Sequence, residues 1–292
     1  MRTYLCGFLE DFQYPRDAAD VLLDAYDRID ANAEARELWT QAIALYEADR
    51  YCNYEDAVGL ADRAADLGGI HEYTAELLLF ICLSKHLRTL YETHGLPLSY
   101  YRRSMEDLRY KLDECRLVYG IVGTFVAMWF KGFFCLERFG MGRLQFEIRT
   151  LGVAYQKNGI ALSPESKVIN VHIPRSGEPL TEEACREAYR LAKAFYKDEI
   201  PTDPCPFICH SWLLYPELEG LLKKTSNTYR FLKSFEILKV EPDRSRRDLW
   251  RLFDTMEQNP DRLPTDTSMR RAIVEHLKRG GSLGEGLGIL FV

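Results

Sequence analysis

One segment of the sequence combines a histidine with a glycine turn placed ahead of a helix. The β-branched run Val168–Ile173 predicts a buried strand that includes His172, and Pro174 ends it because proline cannot donate to a strand ladder. Ser176-Gly177 supplies a residue that is free to take positive φ, and Thr181 is placed to cap a helix. A strand, a tight loop and a helix amino terminus present backbone N–H groups at one spot, which suits a phosphate-bearing cofactor.

Two strand residues, His172 and Glu147, are candidates for a general base. An imidazole with an ordinary pKa of about 6.5 accepts a proton near neutral pH, and His210 offers the same chemistry on a neighbouring strand. The alternative for His172 is a histidine hydrogen-bonded in the core of a mainly apolar strand. Glu147 stands between Phe146 and Ile148, so alternation places it on the opposite face, where we expect solvent exposure. No acid has the spacing of a Ser-His-Asp relay.

The eight cysteines are scattered through helical and strand patterns, which predicts reduced thiols in apolar surroundings. Cys205, Cys209 and His210 form the one cluster of metal-ligating residue types. Strand alternation puts Cys209 and His210 on opposite faces, and no second ligand pair with zinc spacing accompanies them. We therefore expect no metal site.

Composition predicts a globular chain of one large or two ordinary domains. Of the 292 residues 47% are hydrophobic, and a net charge of −6 argues against recruitment to nucleic acid or an anionic membrane. The basic stretch 244–247 is interpreted as a solvated helix start.

The apolar run Ile121–Leu136 contains Lys131 and is shorter than the roughly 20 residues that cross a bilayer, so a buried core helix is expected. Glu10 and Asp11 interrupt any signal-like amino terminus, which predicts a cytoplasmic protein.

Helical spacing changes to strand spacing near residue 141. From Asp17 to about Phe139 the pattern is helical throughout, and the long helix that begins near Glu72 is apolar on more than one face, so it is expected to be central. The remainder alternates short strands with helices. The predicted strands are 143–148, with a hairpin partner within 152–155, then 168–173, 207–214, 235–240 and 287–292. The predicted helices are 181–196, 217–232, 246–256 and 267–279. The fold class is α+β, with domains 1–141 and 142–292.

Four features of the second half resemble the C-terminal domain of bacterial GNAT-like acyltransferases. They are the loop from His172-Ile173-Pro174 through Ser176-Gly177, the strand Cys209–Leu214, the turn Ser226-Asn227 and the glycine-rich tail Gly280–Gly288. The chain before about Met141 resembles the helical N-terminal domain of the same family. The resemblance implies a GNAT-like mixed sheet in which two adjacent strands splay apart and an acyl-CoA lies in the gap.

The resemblance also implies an activity, an acyl-CoA-dependent N-acyltransferase, with acetyl-CoA or another acyl-CoA as cosubstrate and a small-molecule or peptide amine as acceptor. Backbone and side chains at Ile173, Arg175 and Ser176-Gly177 would then bind the cofactor. His172 or Glu147 would serve as base. A tyrosine would protonate the leaving thiolate, and Tyr229 stands in the right region, as does Tyr215 at the end of the 207–214 strand.

Two features of the cofactor loop depart from the GNAT pattern. The loop has a single glycine and two prolines where the family has Gly-x-Gly or Gly-x-Ala, and Glu182 and Glu183 in the first helical turn would repel a diphosphate. A plain capped strand-to-helix turn is therefore the alternative for the loop. A non-catalytic ligand-binding or protein-interaction module is the alternative for the chain, and its oligomeric state stays open.

Overall fold

The chain folds into two compact units, Met1–Gly140 and Met141–Val292. A computed structural model describes residues 1–243, 245 and 247–292. The first unit is helical and the second is built on a mixed sheet, so the predicted α+β class is confirmed. Whether the units act as the functional domains 1–141 and 142–292 stays a prediction. Arg244 and Arg246, from the predicted basic helix start, lie outside the described residues.

The first unit packs its helices around one long central helix. They are α1 (Arg2–Asp11), α2 (Arg16–Ala31), α3 (Ala33–Ala48), α4 (Tyr54–Gly68), α5 (Glu72–Thr93), α6 (Leu98–Tyr119) and α7 (Lys131–Phe134). Residues 77–83 of α5 are all buried, which confirms that this helix is central because every face of it meets other apolar groups. Gly69 ends α4 in the left-handed conformation, φ 62°, which glycine adopts without a Cβ penalty.

The apolar segment Ile121–Leu136 does not form the single helix that its composition predicts. A 3₁₀ helix, Ala127–Phe130, precedes the one-turn helix α7. Ahead of them, the Thr124 N–H donates to the Tyr73 carbonyl at 2.9 Å, and a Cβ on Gly123 would lie 2.4 Å from the Tyr73 backbone. This close approach to the start of α5 keeps the chain irregular there. Within the described residues, no helix is both long and apolar enough to cross a membrane.

The second unit alternates strands with helices. Its strands are β1 (Arg138–Met141, which begins in the first unit), β2 (Leu144–Thr150), β3 (Tyr155–Lys157), β4 (Ile160–Leu162), β5 (Lys167–His172), β6 (Pro206–Ser211), β7 (Glu236–Asp243) and β8 (Leu283–Phe291). Its helices are α8 (Glu182–Phe195), α9 (Asn227–Ser234), α10 (Trp250–Phe253) and α11 (Ser268–Lys278). Short 3₁₀ turns occupy Trp212–Leu214, Pro216–Gly220 and Arg247–Leu249.

The main sheet has the strand order β1-β2-β5-β6-β8-β7. β2 lies antiparallel to β5, with Glu147 opposite Asn170 and Gln145 opposite His172. β5 and β6 are the parallel pair of this sheet, and β8 is antiparallel to both of its neighbours. The helix α8 therefore makes the crossover between two parallel strands, which is the connection that such strands require.

The hairpin partner predicted for β2 within residues 152–155 is wrong. β3 pairs with β4 in a separate two-stranded sheet, and the neighbours of β2 in the main sheet are β1 and β5. Asn158 and Gly159, at φ 53° and 79°, form the turn between β3 and β4. Two consecutive residues with positive φ match the twist of a tight hairpin, so Asn-Gly selects the local pairing.

Several predicted elements are shorter in the structure because turns interrupt them. The strand predicted over 207–214 ends at Ser211, and its last three residues form a 3₁₀ turn. The helix predicted over 217–232 is divided, since Ser226 accepts from the Tyr229 N–H at 3.2 Å and begins α9 afresh. Of the helix predicted over 246–256, only α10 forms as α-helix, and Asp254 at φ 59° ends it.

The two faces of the sheet are covered by different elements. On one face the ring of Tyr189 in α8 packs on Phe146 and Phe207, with ring-centroid distances of 6.2 and 5.2 Å. On the other face, apolar residues of the β3–β4 hairpin pack with Val168 and Ile208. Because neighbouring residues of a strand point to opposite faces, each strand contributes its odd positions to one layer and its even positions to the other.

Candidate active site

The parallel ladder between β5 and β6 is short. Its last described pair joins Asn170 to Ile208. Beyond this pair β5 continues to His172 along β2, whereas β6 continues to Ser211 along β8. The carboxyl ends of the two parallel strands therefore follow different neighbours and diverge, which is the arrangement that the resemblance to GNAT-like domains implies.

The structure brings two predicted site residues, Glu147 and His172, into direct contact at this divergence. His172 Nε2 lies 2.8 Å from Glu147 Oε1, and the side chains are 20% and 3% exposed. The expected solvent exposure of Glu147 is therefore wrong. Alternation correctly placed Glu147 on the face opposite Phe146 and Ile148, but other parts of the folded protein bury this face. Alternation distinguishes the two faces of a strand and does not predict which one is buried.

Hydrogen-bond donors surround the buried Glu147 side chain. Besides His172, its Oε1 atom accepts from Arg149 Nε at 3.0 Å and from Asn170 Nδ2 at 3.2 Å. Asn170 is 9% exposed and lies directly opposite Glu147 in the ladder. Burying a charge costs little only when it is paired and hydrogen-bonded, and these three donors meet that condition.

This contact assigns complementary roles to the two side chains. His172 Nε2 also lies 3.0 Å from Asn170 Nδ2, so the tautomer of the ring depends on which partner Nε2 bonds. Pairing with the carboxylate, which only accepts, places the hydrogen on Nε2 and the lone pair of the neutral ring on Nδ1. A carboxylate at this distance favours the charge of an imidazolium. A histidine oriented by a buried carboxylate is a competent general base.

The loop after β5 presents backbone donors ahead of α8. Gly177 has φ 78°, and no atom lies within 4 Å of the position a Cβ would occupy there. In the described part of the chain, the backbone N–H groups of Ser176 and Gly177 make no hydrogen bond, whereas the Ser176 hydroxyl accepts from the Glu178 N–H at 3.2 Å. Thr181 caps α8 as predicted, accepting from the Ala184 N–H at 3.1 Å. Ile173 is half-buried at the start of the loop.

Arg143 fixes the shape of this loop, although nothing in the sequence singled it out. The Arg143 side chain donates to the Glu178 carbonyl at 2.9 Å and to the Pro174 carbonyl at 3.0 Å. The residue is 9% exposed and lies just before β2. A guanidinium that ties two carbonyls of one loop holds its amides in place, and only the folded contact reveals it.

Arg175, the predicted phosphate-binding side chain, is engaged by a carboxylate. Arg175 Nη1 is hydrogen-bonded to Asp254 Oδ1, and Asp254 Oδ2 accepts from Arg270 Nη2 at 2.5 Å. Burial opposes ionisation of Asp254, but the hydrogen bonds from the two arginines outweigh it and hold the pKa of this carboxyl below its usual value. The Arg175 side chain stays 40% exposed.

The structure does not bring Tyr229 together with His172 and Glu147. Its hydroxyl donates to Glu219 Oε1 at 3.4 Å, and α9, which carries it, packs against α8. Tyr215, the other tyrosine considered, is buried and its hydroxyl lies 3.2 Å from Glu217 Oε1 and from Ser282 Oγ. The acid role assigned to Tyr229 by resemblance stays a prediction.

A cavity of about 400 Å³ lies beside the end of β6. Its apolar wall consists of Trp212, Leu249, Leu252 and Leu277, and its acidic residues are Asp243, Asp248 and Glu285. Trp212 begins the 3₁₀ turn after β6, is partly buried and packs against an apolar cluster of this unit. The cavity thus combines an apolar wall with carboxylates.

The cysteine cluster of the second unit consists of inert thiols. Cys205 and Cys209 are each 1% exposed, and burial raises the pKa of the Cys205 thiol to about 11. His210 lies on the opposite face from Cys209, as alternation predicted. Its side chain is exposed. Across the described ranges, no group of three histidine, cysteine or acidic side chains is arranged to hold a metal ion.

Two families of known domains match the chain. The family described as GNAT-like C-terminal domain matches residues 139–290, and the family described as N-acyltransferase N-terminal domain matches residues 4–136. No curated protein matches the chain.

Solved structures of acyltransferases share the fold. One, in complex with decanoyl-CoA and teicoplanin, is 22% identical over 97% of this chain and 86% of its own, with a TM-score of 0.72. A mutant acyltransferase in complex with octanoyl-CoA has the same identity and coverage, with a TM-score of 0.73. A third, in complex with CoA and 10C-teicoplanin, is 20% identical over 98% of this chain and 99% of its own, with a TM-score of 0.64.

Proposed function

The chain belongs to the family with a GNAT-like C-terminal domain, preceded here by an N-acyltransferase N-terminal domain, and on this premise we propose that it transfers an acyl group from an acyl-CoA to an amine. The buried Glu147–His172 pair at the divergence of β5 and β6 carries this proposal. The similar structures that hold decanoyl-CoA and octanoyl-CoA support the choice of donor.

The proposed reaction assigns a task to each end of the site. His172 Nδ1 takes a proton from the amine, the nitrogen forms a bond to the thioester carbon, and the carbon–sulfur bond breaks to leave a thiolate. Glu147 holds the ring and balances the imidazolium charge. At the other end, the N–H groups of Ser176 and Gly177 are suited to the pyrophosphate of the cosubstrate because they have no other hydrogen bond in the described chain.

Ile173 and Arg175 complete the proposed cosubstrate site. Ile173 is the residue that leads from the base at His172 into the phosphate loop, so its backbone would lie along the pantetheine arm. Arg175, with a side chain that is 40% exposed and hydrogen-bonded to Asp254, would add positive charge near a phosphate. The residues 142–292 would therefore carry the chemistry, and residues 1–141 form the accompanying N-acyltransferase-type domain.

The acceptor we propose is a small-molecule or peptide amine. An ammonium group is attracted by carboxylates, and the cavity beside β6 offers Asp243, Asp248 and Glu285 with an apolar wall for the body of the acceptor. Two similar structures contain the glycopeptide teicoplanin or its acylated form, which supports a peptide-like amine. A cytoplasmic location follows from the proposal, since that compartment supplies acyl-CoA and keeps the free cysteines reduced.

Calorimetric titration with acetyl-CoA and decanoyl-CoA tests the proposal. Micromolar binding of either thioester is expected, together with release of free thiol when octylamine or teicoplanin is added. Binding without thiol release would favour the alternative of a non-catalytic ligand-binding module. The absence of binding to both thioesters would contradict the proposed function and leave the protein-interaction module as the alternative.

A further inference from the structure

A second histidine occupies the position on β6 that matches His172 on β5. The parallel register pairs Asn170 with Ile208, and the next residue on the same face is two positions further along each strand. These two residues are His172 and His210. The strands diverge directly after the last pair, so the two histidines stand on the same sheet face on either side of the gap.

His210 also resembles His172 in its surroundings. Its Nε2 lies 3.4 Å from Glu285 Oε2 on β8 and 3.8 Å from Glu241 Oε2 on β7. Glu241 Oε1 also forms a salt bridge with Lys239 Nζ at 2.6 Å. Two carboxylates therefore lie near this ring, and their charges favour the positive charge of an imidazolium.

The two histidines differ in burial and in the strength of their contacts. The His210 side chain is 43% exposed and its carboxylate contacts are long, whereas His172 is 20% exposed and bonded at 2.8 Å. A buried, tightly oriented ring suits a base that meets one substrate atom. An exposed ring beside two carboxylates suits a group that exchanges protons with solvent, as an acid must after each turnover.

We propose that His210 is the general acid that protonates the sulfur of coenzyme A as it leaves. This proposal rests on the proposed function. As the carbon–sulfur bond breaks, the electron pair moves to sulfur and the imidazolium of His210 gives it a proton, forming the free thiol. The proton taken by His172 returns to solvent and His210 regains one from solvent, so the enzyme ends as it began.

Leaving-group dependence is the most direct test of this role. A thiolate that is already stable needs no acid, so we expect His210→Gln to lower kcat/KM about 100-fold with decanoyl-CoA and no more than about threefold with the phenyl thioester of decanoic acid. Octylamine and teicoplanin serve as acceptors. His210→Asn provides a second variant, and thermal melting shows that each variant is folded.

Two further variants sharpen the assignment. Glu241→Gln removes a carboxylate that lies beside the His210 ring without lining the acceptor cavity, and it should give a smaller loss that is again confined to the CoA donor. Glu37→Gln, on the exposed surface of α3, should leave both donors unaffected.

Each contrary outcome points to a different error. Full activity of His210→Gln with decanoyl-CoA, or an equal loss with both donors, would overturn the acid role of His210. A donor-dependent loss in Tyr229→Phe instead would assign the acid to the tyrosine. If the wild-type protein releases no thiol from decanoyl-CoA with either amine, the proposed function fails and the role of His210 fails with it.

Discussion

Each of the two units contains a glutamate with a buried carboxylate oxygen, and the two glutamates have opposite environments. Glu147 in the second unit is 2% exposed and accepts from three side-chain donors. Glu76 in α5 of the first unit has its Oε2 atom buried with no hydrogen-bond partner in the described structure. Burial, followed by repulsion from Asp62 and Glu72, raises the pKa of Glu76 to about 8.

The comparison shows that burial alone does not make a carboxylate functional. Arg149 and Asn170 donate to the same Glu147 oxygen that contacts His172. Glu76 is repelled by Asp62 and Glu72, and Asp62 likewise has its pKa raised, to about 6, by burial and then by Glu72 and Asp66. The donors around Glu147 therefore distinguish it from Glu76. Glutamine at position 147 should lower activity, whereas glutamine at position 76 should raise thermal stability.

Of the substitutions at Glu147, Gly177, Asp254 and Glu76, Glu147→Gln should produce the largest effect. It keeps the shape of the side chain but removes the charge that stabilises the imidazolium of His172, so we expect kcat to fall about 100-fold. Measurement of thiol release from decanoyl-CoA with an amine checks this, with Glu37→Gln on the exposed surface of α3 as the control. Unchanged turnover would remove Glu147 from the mechanism.

Gly177→Val should weaken the binding of acyl-CoA about tenfold. Nothing crowds a Cβ at this position, so the expected cause is backbone strain: φ 78° is costly for a β-branched residue, and relaxation would move the Ser176 and Gly177 amides. Calorimetric titration measures the effect. Gly59→Ala in α4 is the control, since it also meets open space but has no positive φ. Equal affinities would exclude the loop from the site.

Asp254→Asn should lower the melting temperature by about 5 °C at pH 7, because two charge-assisted hydrogen bonds lose their acceptor charge. The pKa of Asp254 is lowered by folding, so its stabilisation is present above the pKa of the unfolded chain and is lost as the pH falls through the folded pKa. The difference between wild type and variant should therefore shrink below pH 4. A difference that is constant across this range would contradict the ion-pair explanation.

Glu76→Gln should give the smallest change. It should raise the melting temperature, whereas Asp254→Asn should lower it. Its pKa is raised by folding, so ionisation destabilises the folded protein as the pH rises from about 4.5 towards 8. The variant should melt a few degrees higher than wild type at pH 8 and at nearly the same temperature at pH 5. Thermal melts at both pH values check this, and a lower melting temperature at pH 8 would show that Glu76 has a favourable partner.

The strand–loop–helix unit of the site was predictable because its signals are local. The β-branched run that ends at His172, the turn at Gly177 and the cap at Thr181 each depend on neighbours in sequence, and all three lie where the pattern put them. The divergence of two strands was expected only by resemblance. It depends on which strands pair and where the ladder ends, and no local pattern encodes that.

The contacts that the sequence did not predict join residues that are far apart along the chain. Asn170 donates to Glu147 because the register of β2 and β5 sets them opposite each other. Asp254 meets Arg175 across 79 positions of sequence. The burial of Glu147 was missed for the same reason, since strand alternation distinguishes two faces but does not say which one other elements cover.

Turnover by the His172→Ala variant tests the central claim most directly. Wild-type protein, decanoyl-CoA and an amine should yield free thiol and the N-acyl product in equal amounts, as followed by a thiol reagent and mass spectrometry. His172→Ala should bind decanoyl-CoA with unchanged affinity and melt close to the wild-type temperature while its kcat falls about 1000-fold. A large loss of thermal stability with unchanged turnover would contradict the account and make His172 a structural residue of the core.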